Sequence, residues 1–98
     1  MTPKCVVIHE INETGFIDCV GIYDDEMAAY GKAYTVLSDT AFDYTHSYNN
    51  QFYITPLELC EGESGYIMRL VNKETGKVEE WVTVLFYEPE DKKGEAKT

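Results

Sequence analysis

The residues of this chain that could do chemistry are two histidines, three cysteines and pairs of adjacent carboxylates. If the first predicted hairpin closes at Asn12 and Phe16, His9 faces Cys19. A thiol beside an imidazole can be an activated nucleophile or half of a zinc site. Two ligands do not hold a structural metal, however, and a one-residue change of register separates the pair. The carboxylate pairs have no base, nucleophile or metal-ligand pattern near them: Asp24–Asp25, Glu79–Glu80 and Glu90–Asp91.

Other motifs of catalysis and cofactor binding are missing from the sequence. There is no glycine-rich phosphate loop, no HExxH and no GxSxG. The acids at 24–26 lack the alternate spacing and the central glycine of a calcium-binding EF-hand loop. An odd number of cysteines without CxxC spacing argues against a disulfide framework. The sequence therefore predicts a non-enzymatic protein with no metal and no cofactor.

Charge is distributed unevenly along the chain. Residues 5–68 hold eleven acids and a single base, Lys32, whereas residues 69–98 hold seven acids and six bases. Phosphate groups repel a surface of this sign, so the pattern disfavours direct binding to nucleic acid or to an anionic membrane. It favours a basic protein partner, in particular one that handles nucleic acid.

Length and composition indicate one folded domain. Ninety-eight residues suffice for a single modest core. No run approaches the roughly 20 apolar residues of a membrane span, and the N-terminus lacks a signal-peptide pattern, so we expect a cytosolic protein. Residues 1–88 are expected to form the domain, and the polar residues 89–98 a flexible tail.

One long helix is predicted within residues 22–37, starting near Glu26. Asp24 or Asp25 can cap it, and acids are favoured at the positive end of the helix dipole. Larger residues at three- and four-residue steps form a stripe expected to pack on a sheet: Met27, Tyr30, Tyr34, Leu37 and Ala41. The opposite side also has little charge, which is typical of a helix covered on two sides by a loop or a second copy: Ala29, Ala33, Val36 and Lys32.

Two hairpins are predicted, one on each side of this helix. Residues 4–11 and 16–23 flank an Asn-Glu-Thr-Gly turn in which Gly15 takes the left-handed conformation. Residues 66–71 and 77–87 flank a second Glu-Thr-Gly turn, and a closure near its ends brings Arg69 opposite Trp81 with Glu79 on the same face.

The remaining strand, residues 52–60, is expected to bend or to lie at a sheet edge, because Pro56 cannot donate to a ladder. The predicted fold class is α+β. It comprises a five-stranded antiparallel sheet with one helix packed on a face, in the order β-β-α-β-β-β. A homodimer through the helix or a sheet edge is compatible with this pattern.

Residues 39–53 form the segment most typical of a binding surface, since Tyr, Ser, Asn and acids make adaptable contacts. Asp39 can cap a short helical turn to Tyr44, and the rest is expected to be loop. With the acids at the helix start and those near the turn at 61–65, the candidate partner-binding residues are Asp24, Asp25, Glu26, Asp39, Asp43, Tyr44, Tyr48, Asn49, Asn50, Glu61 and Glu63.

In its small size, its single-sign charge and this Tyr- and Asn-rich segment, the chain resembles the small acidic inhibitors that bacteriophages encode, anti-CRISPR proteins among them. The resemblance is in general character and carries over no functional residue. It implies a cytosolic inhibitor whose carboxylates gather on one outer surface and occupy the basic nucleic-acid-binding groove of a partner. The alternative is a small ligand-binding module with an aromatic pocket between helix and sheet, lined by Tyr30, Tyr34, Tyr53 and Trp81.

Overall fold

A computed structural model describes residues 4–48, 51–60 and 64–87, except for the side chains of Tyr48 and Tyr87. All strand pairs are antiparallel, in the lateral order β2-β1-β6-β5-β3, and β4 also pairs with β5. The predicted α+β fold with one helix on a face of the sheet is confirmed. The elements are β1 Lys4–Ile11, β2 Ile17–Tyr23, α1 Glu26–Tyr48, β3 Phe52–Ile54, β4 Glu58–Leu59, β5 Gly65–Asn72 and β6 Val78–Tyr87.

The two hairpin turns have the same backbone and side-chain chemistry. Gly15 and Gly76 both have positive φ, 74° and 79°, a conformation that costs glycine little. In each turn a threonine hydroxyl accepts a hydrogen bond from the amide two residues later, at 3.2 Å for Thr14 and 3.1 Å for Thr75. Both predicted Glu-Thr-Gly turns are confirmed, and the two form one kind of turn.

The register of the first hairpin differs by one residue from the prediction. The amide of Ile11 donates to the carbonyl of Phe16 at 2.9 Å, so His9 lies opposite Asp18 and not opposite Cys19. Since neighbouring residues of a strand point to opposite faces, Cys19 lies on the other side of the sheet. The predicted His9–Cys19 pair is therefore wrong.

The helix starts where its capping residues indicate and ends much later than predicted. The Asp25 side chain accepts a hydrogen bond from the amide of Met27 at 3.3 Å, as an N-cap does. Helical structure continues without interruption to Tyr48. The short turn predicted from Asp39 to Tyr44 is therefore part of the same helix, and the loop predicted after it is wrong over residues 45–48. Tyr44, in this second half, packs against the core, and such packing outweighs the modest helix propensity of Asp, Thr and Tyr.

The side of the helix that packs on the sheet is also different from the predicted stripe. Ala29, Ala33 and Leu37 are fully buried, whereas Met27 and Tyr34 are 71% and 55% exposed. The predicted stripe is therefore wrong for Met27 and Tyr34. Small alanine side chains let the helix pack closely on the sheet. The predicted stripe was defined by the larger side chains, so it did not include these alanines.

The helix covers one face of the sheet, where the core side chains are Cys5, Val7, Met68, Leu70, Val82 and Val84. No helix or strand among the described residues packs on the other face, which we call the open face. Because side chains alternate along a strand, the open face includes Ile8 of β1, Ile22 of β2, Ile67 and Arg69 of β5, and Trp81 and Leu85 of β6.

The predicted third strand divides at Pro56 into β3 and β4, and both pair with β5. The bend expected from Pro56 is confirmed. Arg69 lies opposite Trp81, also as predicted. The carboxylate bound to Arg69 is that of Glu58, at 2.7 Å, and not that of Glu79.

Candidate functional site

Exposed carboxylates are concentrated in the helix and in the turn that leads into it. Asp24, Asp25 and Glu26 lie at the N-terminal end, and Asp39 and Asp43 lie one helical turn apart further along. We call these five residues the acidic helix surface. Among the described residues, Asp24 alone of the five has a basic group within 4 Å, its 2.5 Å contact with Lys4. Four of the five charges are thus available to a partner.

The N-terminal part of this surface acts on the nearby core. Burial raises the pKa of the Cys5 thiol, and Glu26, Asp25 and Asp24 raise it further. The pKa of Tyr30 is raised by burial and then by Glu26. Both groups therefore stay neutral, as expected next to a concentration of negative charge. A neutral buried thiol is a poor nucleophile and a poor metal ligand, so Cys5 is a core residue.

An exposed aromatic side chain lies next to the carboxylates of the second half of the helix. Phe42 is 64% exposed, and its ring centroid is 4.2 Å from that of His46. The same imidazole lies 3.0 Å from the backbone carbonyl of Phe42. An exposed aromatic next to Asp39 and Asp43 offers an apolar anchor within a charged surface, a combination common in protein interfaces.

Other acids of the chain lie elsewhere. Glu13 and Glu74 belong to the hairpin turns, Glu58 lies in β4 at the open face, and Asp18 lies on the edge strand β2. The carboxylates therefore do not all share one continuous surface. The five of the acidic helix surface lie in the helix layer, in two groups: residues 24–26 at the helix start, and Asp39 with Asp43 about 20 Å further along the helix.

The other predicted binding residues have different placements. Tyr44 is half-buried, and its hydroxyl binds Glu80 of the sheet; its role in partner binding stays a prediction. Tyr48 is the last residue of the helix. The remaining predicted residues lie outside the described part of the chain: Asn49, Asn50, Glu61 and Glu63.

A buried polar network, absent from the predicted sites, connects the helix to the sheet. Glu80 of β6 is 3% exposed; its Oε1 is 2.6 Å from Nε2 of His9, and its Oε2 accepts a hydrogen bond from the Tyr44 hydroxyl at 2.5 Å. Both carboxylate oxygens are therefore satisfied, as a buried charge requires. The sequence did contain a sign of this network. Alternation along β6 assigns residue 80 to the same side as Val78 and Val82, and an acid at such an apolar position indicates a buried polar contact.

The chemical use of this network is limited by its hydrogen bonds. An imidazole held by a carboxylate can act as a general base when a ring nitrogen reaches a substrate. Here Glu80 is the one hydrogen-bond partner of His9 within the described residues, and no thiol or hydroxyl nucleophile is joined to the imidazole there. The arrangement accounts for a fixed helix position better than for catalysis.

The four aromatic residues predicted to line one pocket lie on different sides of the molecule. Tyr30 packs edge-on against Tyr66 beneath the helix, with ring centroids 5.9 Å apart, and Tyr34 is exposed on the helix. Tyr53 and Trp81 belong to the open face. The pocket predicted from these four residues is therefore wrong.

The chain matches no protein-family model, no curated protein and no solved structure. Among the residues described, no helix is both long and apolar enough to cross a membrane. In the same residues, no group of three or more His, Cys, Asp and Glu side chains is arranged to hold a metal ion. The acidic helix surface and the two faces of the sheet are therefore the features of the molecule that bear on its function.

Proposed function

We propose that this chain is a non-enzymatic inhibitor that binds a basic, nucleic-acid-handling protein through the acidic helix surface. The observation that supports this most is the set of exposed carboxylates in one layer, four of which have no basic neighbour among the described residues. In the cytosol of a host cell, such a protein would act as phage anti-defence inhibitors do, by mimicking phosphate charge.

The physical reason is that a field of one sign attracts a basic groove and competes with the nucleic acid that the groove normally binds. Asp39 and Asp43 present two charges on one flank of the helix, and the exposed Phe42 supplies an apolar contact one helical turn from Asp39. Charge alone gives rapid association, whereas a buried aromatic anchor gives slow dissociation.

The network of His9, Tyr44 and Glu80 supports the same proposal, because it attaches the acidic part of the helix to the sheet. It joins the second half of the helix to β1 and β6, so Asp39 and Asp43 lie on a segment that is hydrogen-bonded to the sheet. A preorganised surface loses less conformational entropy when it binds.

The test starts with capture of the partner from a bacterial lysate, with and without nuclease, followed by affinity measurement with the purified partner. Asp39→Lys/Asp43→Lys should weaken binding at least about tenfold, because it reverses two charges in the contact. The matched control Glu13→Lys/Glu74→Lys makes the same change of net charge on the hairpin turns and should alter affinity less than about threefold at physiological salt, where distant charges are screened.

Two further measurements separate charge mimicry from other modes of binding. The wild-type complex should weaken steeply as salt is raised, and the partner's nucleic acid should displace this chain. Equal losses in the two double variants, or an affinity independent of salt, would contradict the proposal.

A further inference from the structure

The open face is unusually apolar for a sheet face that no described element covers. Antiparallel sheets with one solvated face normally carry polar side chains there. Here the central strands present Ile8, Ile67 and Leu85, and the edge strand β2 presents Ile22, which is 60% exposed. A contiguous apolar surface of this kind marks an interaction site.

A row of three side chains crosses the open face. Glu10 of β1 lies opposite Trp81 of β6, and Trp81 lies opposite Arg69 of β5. Adjacent strands are about 4.8 Å apart, so an acid and a base flank the indole at similar distances on opposite sides. The row therefore has a carboxylate at one end, an indole in the centre and a guanidinium at the other end, where Glu58 of the same chain also pairs with Arg69.

We infer that the open face binds a second copy of this chain, with the two sheets stacked about a two-fold axis that runs along β6 above Trp81. Rotation about this axis leaves β6 of one copy over β6 of the other and places β1 of each copy over β5 of the other. Glu10 of each copy therefore lies over Arg69 of the other, and the two Trp81 side chains meet at the centre. The same operation brings Ile8 of each copy over Ile67 of the other. An isologous interface requires self-complementarity of this kind.

The area of the face is adequate for such a dimer. Four strands of 7 to 10 residues, with the short β3 and β4 together in the fifth position, present roughly 500 Å² of projected surface per copy at about 4.8 Å between strands and about 3.3 Å per residue. Two stacked sheets lie about 10 Å apart with interdigitated side chains, which buries more accessible surface than the projected area. This approaches the roughly 800 Å² per partner of a standard interface.

The position of the acids makes this face the most favourable one for self-association. Each chain carries a formal charge of −10, so two copies repel each other. Stacking through the open face leaves the two acidic helix surfaces on opposite outer sides, where their mutual repulsion is smallest. This inference is independent of the proposed function, and it predicts two copies of the acidic helix surface per particle.

Sedimentation equilibrium of the full chain over a wide concentration range tests the inference directly. We expect a mass that rises from 11.2 kDa toward twice that value as concentration increases. Trp81 is the only tryptophan, so its emission should shift to shorter wavelength over the same range, because the indole leaves water. A chain that stays monomeric up to millimolar concentration would overturn the inference.

Charge variants test the symmetry. Glu10→Arg gives a copy with two bases in the row, and Arg69→Glu gives a copy with two acids, so each alone should dimerise at least about tenfold more weakly. Mixed in equal amounts, the two variants should form a heterodimer, since every acid then meets a base. Glu13→Arg and Lys73→Glu, both on the hairpin turns, are the matched controls and should leave self-association unchanged.

Folding of each variant is checked by its circular dichroism and thermal transition. Because Arg69→Glu also places two acids next to each other at Glu58, a second variant is Ile8→Lys on β1, which should abolish the dimer without altering the Arg69–Glu58 pair. A dimer that persists in Glu10→Arg and in Ile8→Lys, or charge variants that fail to recover on mixing, would overturn the inference.

Discussion

The two faces of the sheet have similar apolar composition and differ in burial. On the helix side, Val7, Leu70 and Val84 have no exposed surface. On the open face, Val6 and Thr83 retain 8% and 9% exposure, and Ile8 and Leu85 are only partly buried. The helix therefore covers the first face completely, whereas side chains of the open face are covered only by their neighbours on the same face.

Charged groups differ between the two faces in the same way. On the helix side, Glu80 is buried and both of its oxygens accept hydrogen bonds. On the open face, Arg69 and Glu58 form an ion pair with both side chains accessible to solvent, and exposed pairs of this type contribute little to stability. The buried Glu80 helps to fix the fold, whereas the exposed Arg69 and Glu58 side chains can exchange partners.

The largest expected difference between the faces concerns large-to-small substitutions. Leu70→Ala should lower the free energy of unfolding by about 2–5 kcal/mol, because it opens a cavity under the helix. Ile22→Ala removes a side chain of the same size from the open face and should cost less than about 1 kcal/mol. Chemical denaturation followed by circular dichroism, at a concentration where the chain is monomeric, measures both values.

Equal losses in these two variants would show that the open face is covered within a single chain. The comparison between a closed and an open face would then fail.

The polar network provides the next test. Tyr44→Phe removes the hydroxyl that donates to Glu80 and should lower the free energy of unfolding by about 1–3 kcal/mol, since it leaves a buried carboxylate oxygen without a donor. Tyr34→Phe makes the same change at an exposed position of the same helix and should alter stability by less than about 0.5 kcal/mol.

Thermal and chemical unfolding of the two tyrosine variants give these differences directly. Indistinguishable stabilities would mean that the Tyr44 hydroxyl contributes nothing to the position of the helix, and the argument for a rigid acidic helix surface would lose its basis.

Features set by local chemistry were predictable from the sequence. The Asp25 cap depends on residues two positions apart, and the hairpin turns depend on Thr and Gly within four residues. The bend at Pro56 follows from the missing amide proton. Each of these needs no knowledge of which strands are neighbours in the sheet.

Features set by distant contacts were not predictable. His9 and Glu80 are 71 positions apart and meet only because β1 pairs with β6. The helix was expected to end early because Asp39 resembles a cap, and it continues because the Tyr44 ring packs on that of Phe52, with centroids 5.2 Å apart. The close packing of Ala29 on the sheet could not be predicted from hydrophobicity. Alanine is common on both the buried and the exposed sides of helices, so its position does not identify the buried side.

The smallest expected effect concerns the outward side of the helix. A Cβ atom added at Gly31 meets nothing within 4 Å, and alanine is favoured over glycine in a helix by about 1 kcal/mol. Gly31→Ala should therefore raise the free energy of unfolding by about 0.5–1 kcal/mol. A Cβ atom added at Gly76 also meets nothing within 4 Å, but the φ of 79° at this position is unfavourable for alanine. Gly76→Ala should therefore lower the free energy of unfolding by about 1–2 kcal/mol.

Thermal unfolding of these two glycine variants also distinguishes between ways of forming a dimer. If two copies associate through their open faces, the outward side of the helix stays in water, and Gly31→Ala stabilises the chain at every concentration. If two copies associate through their helices, an added methyl group at residue 31 falls in the contact. The variant would then dimerise more weakly than the wild-type chain, and the dimer contact would lie on the helix and not on the open face of the sheet.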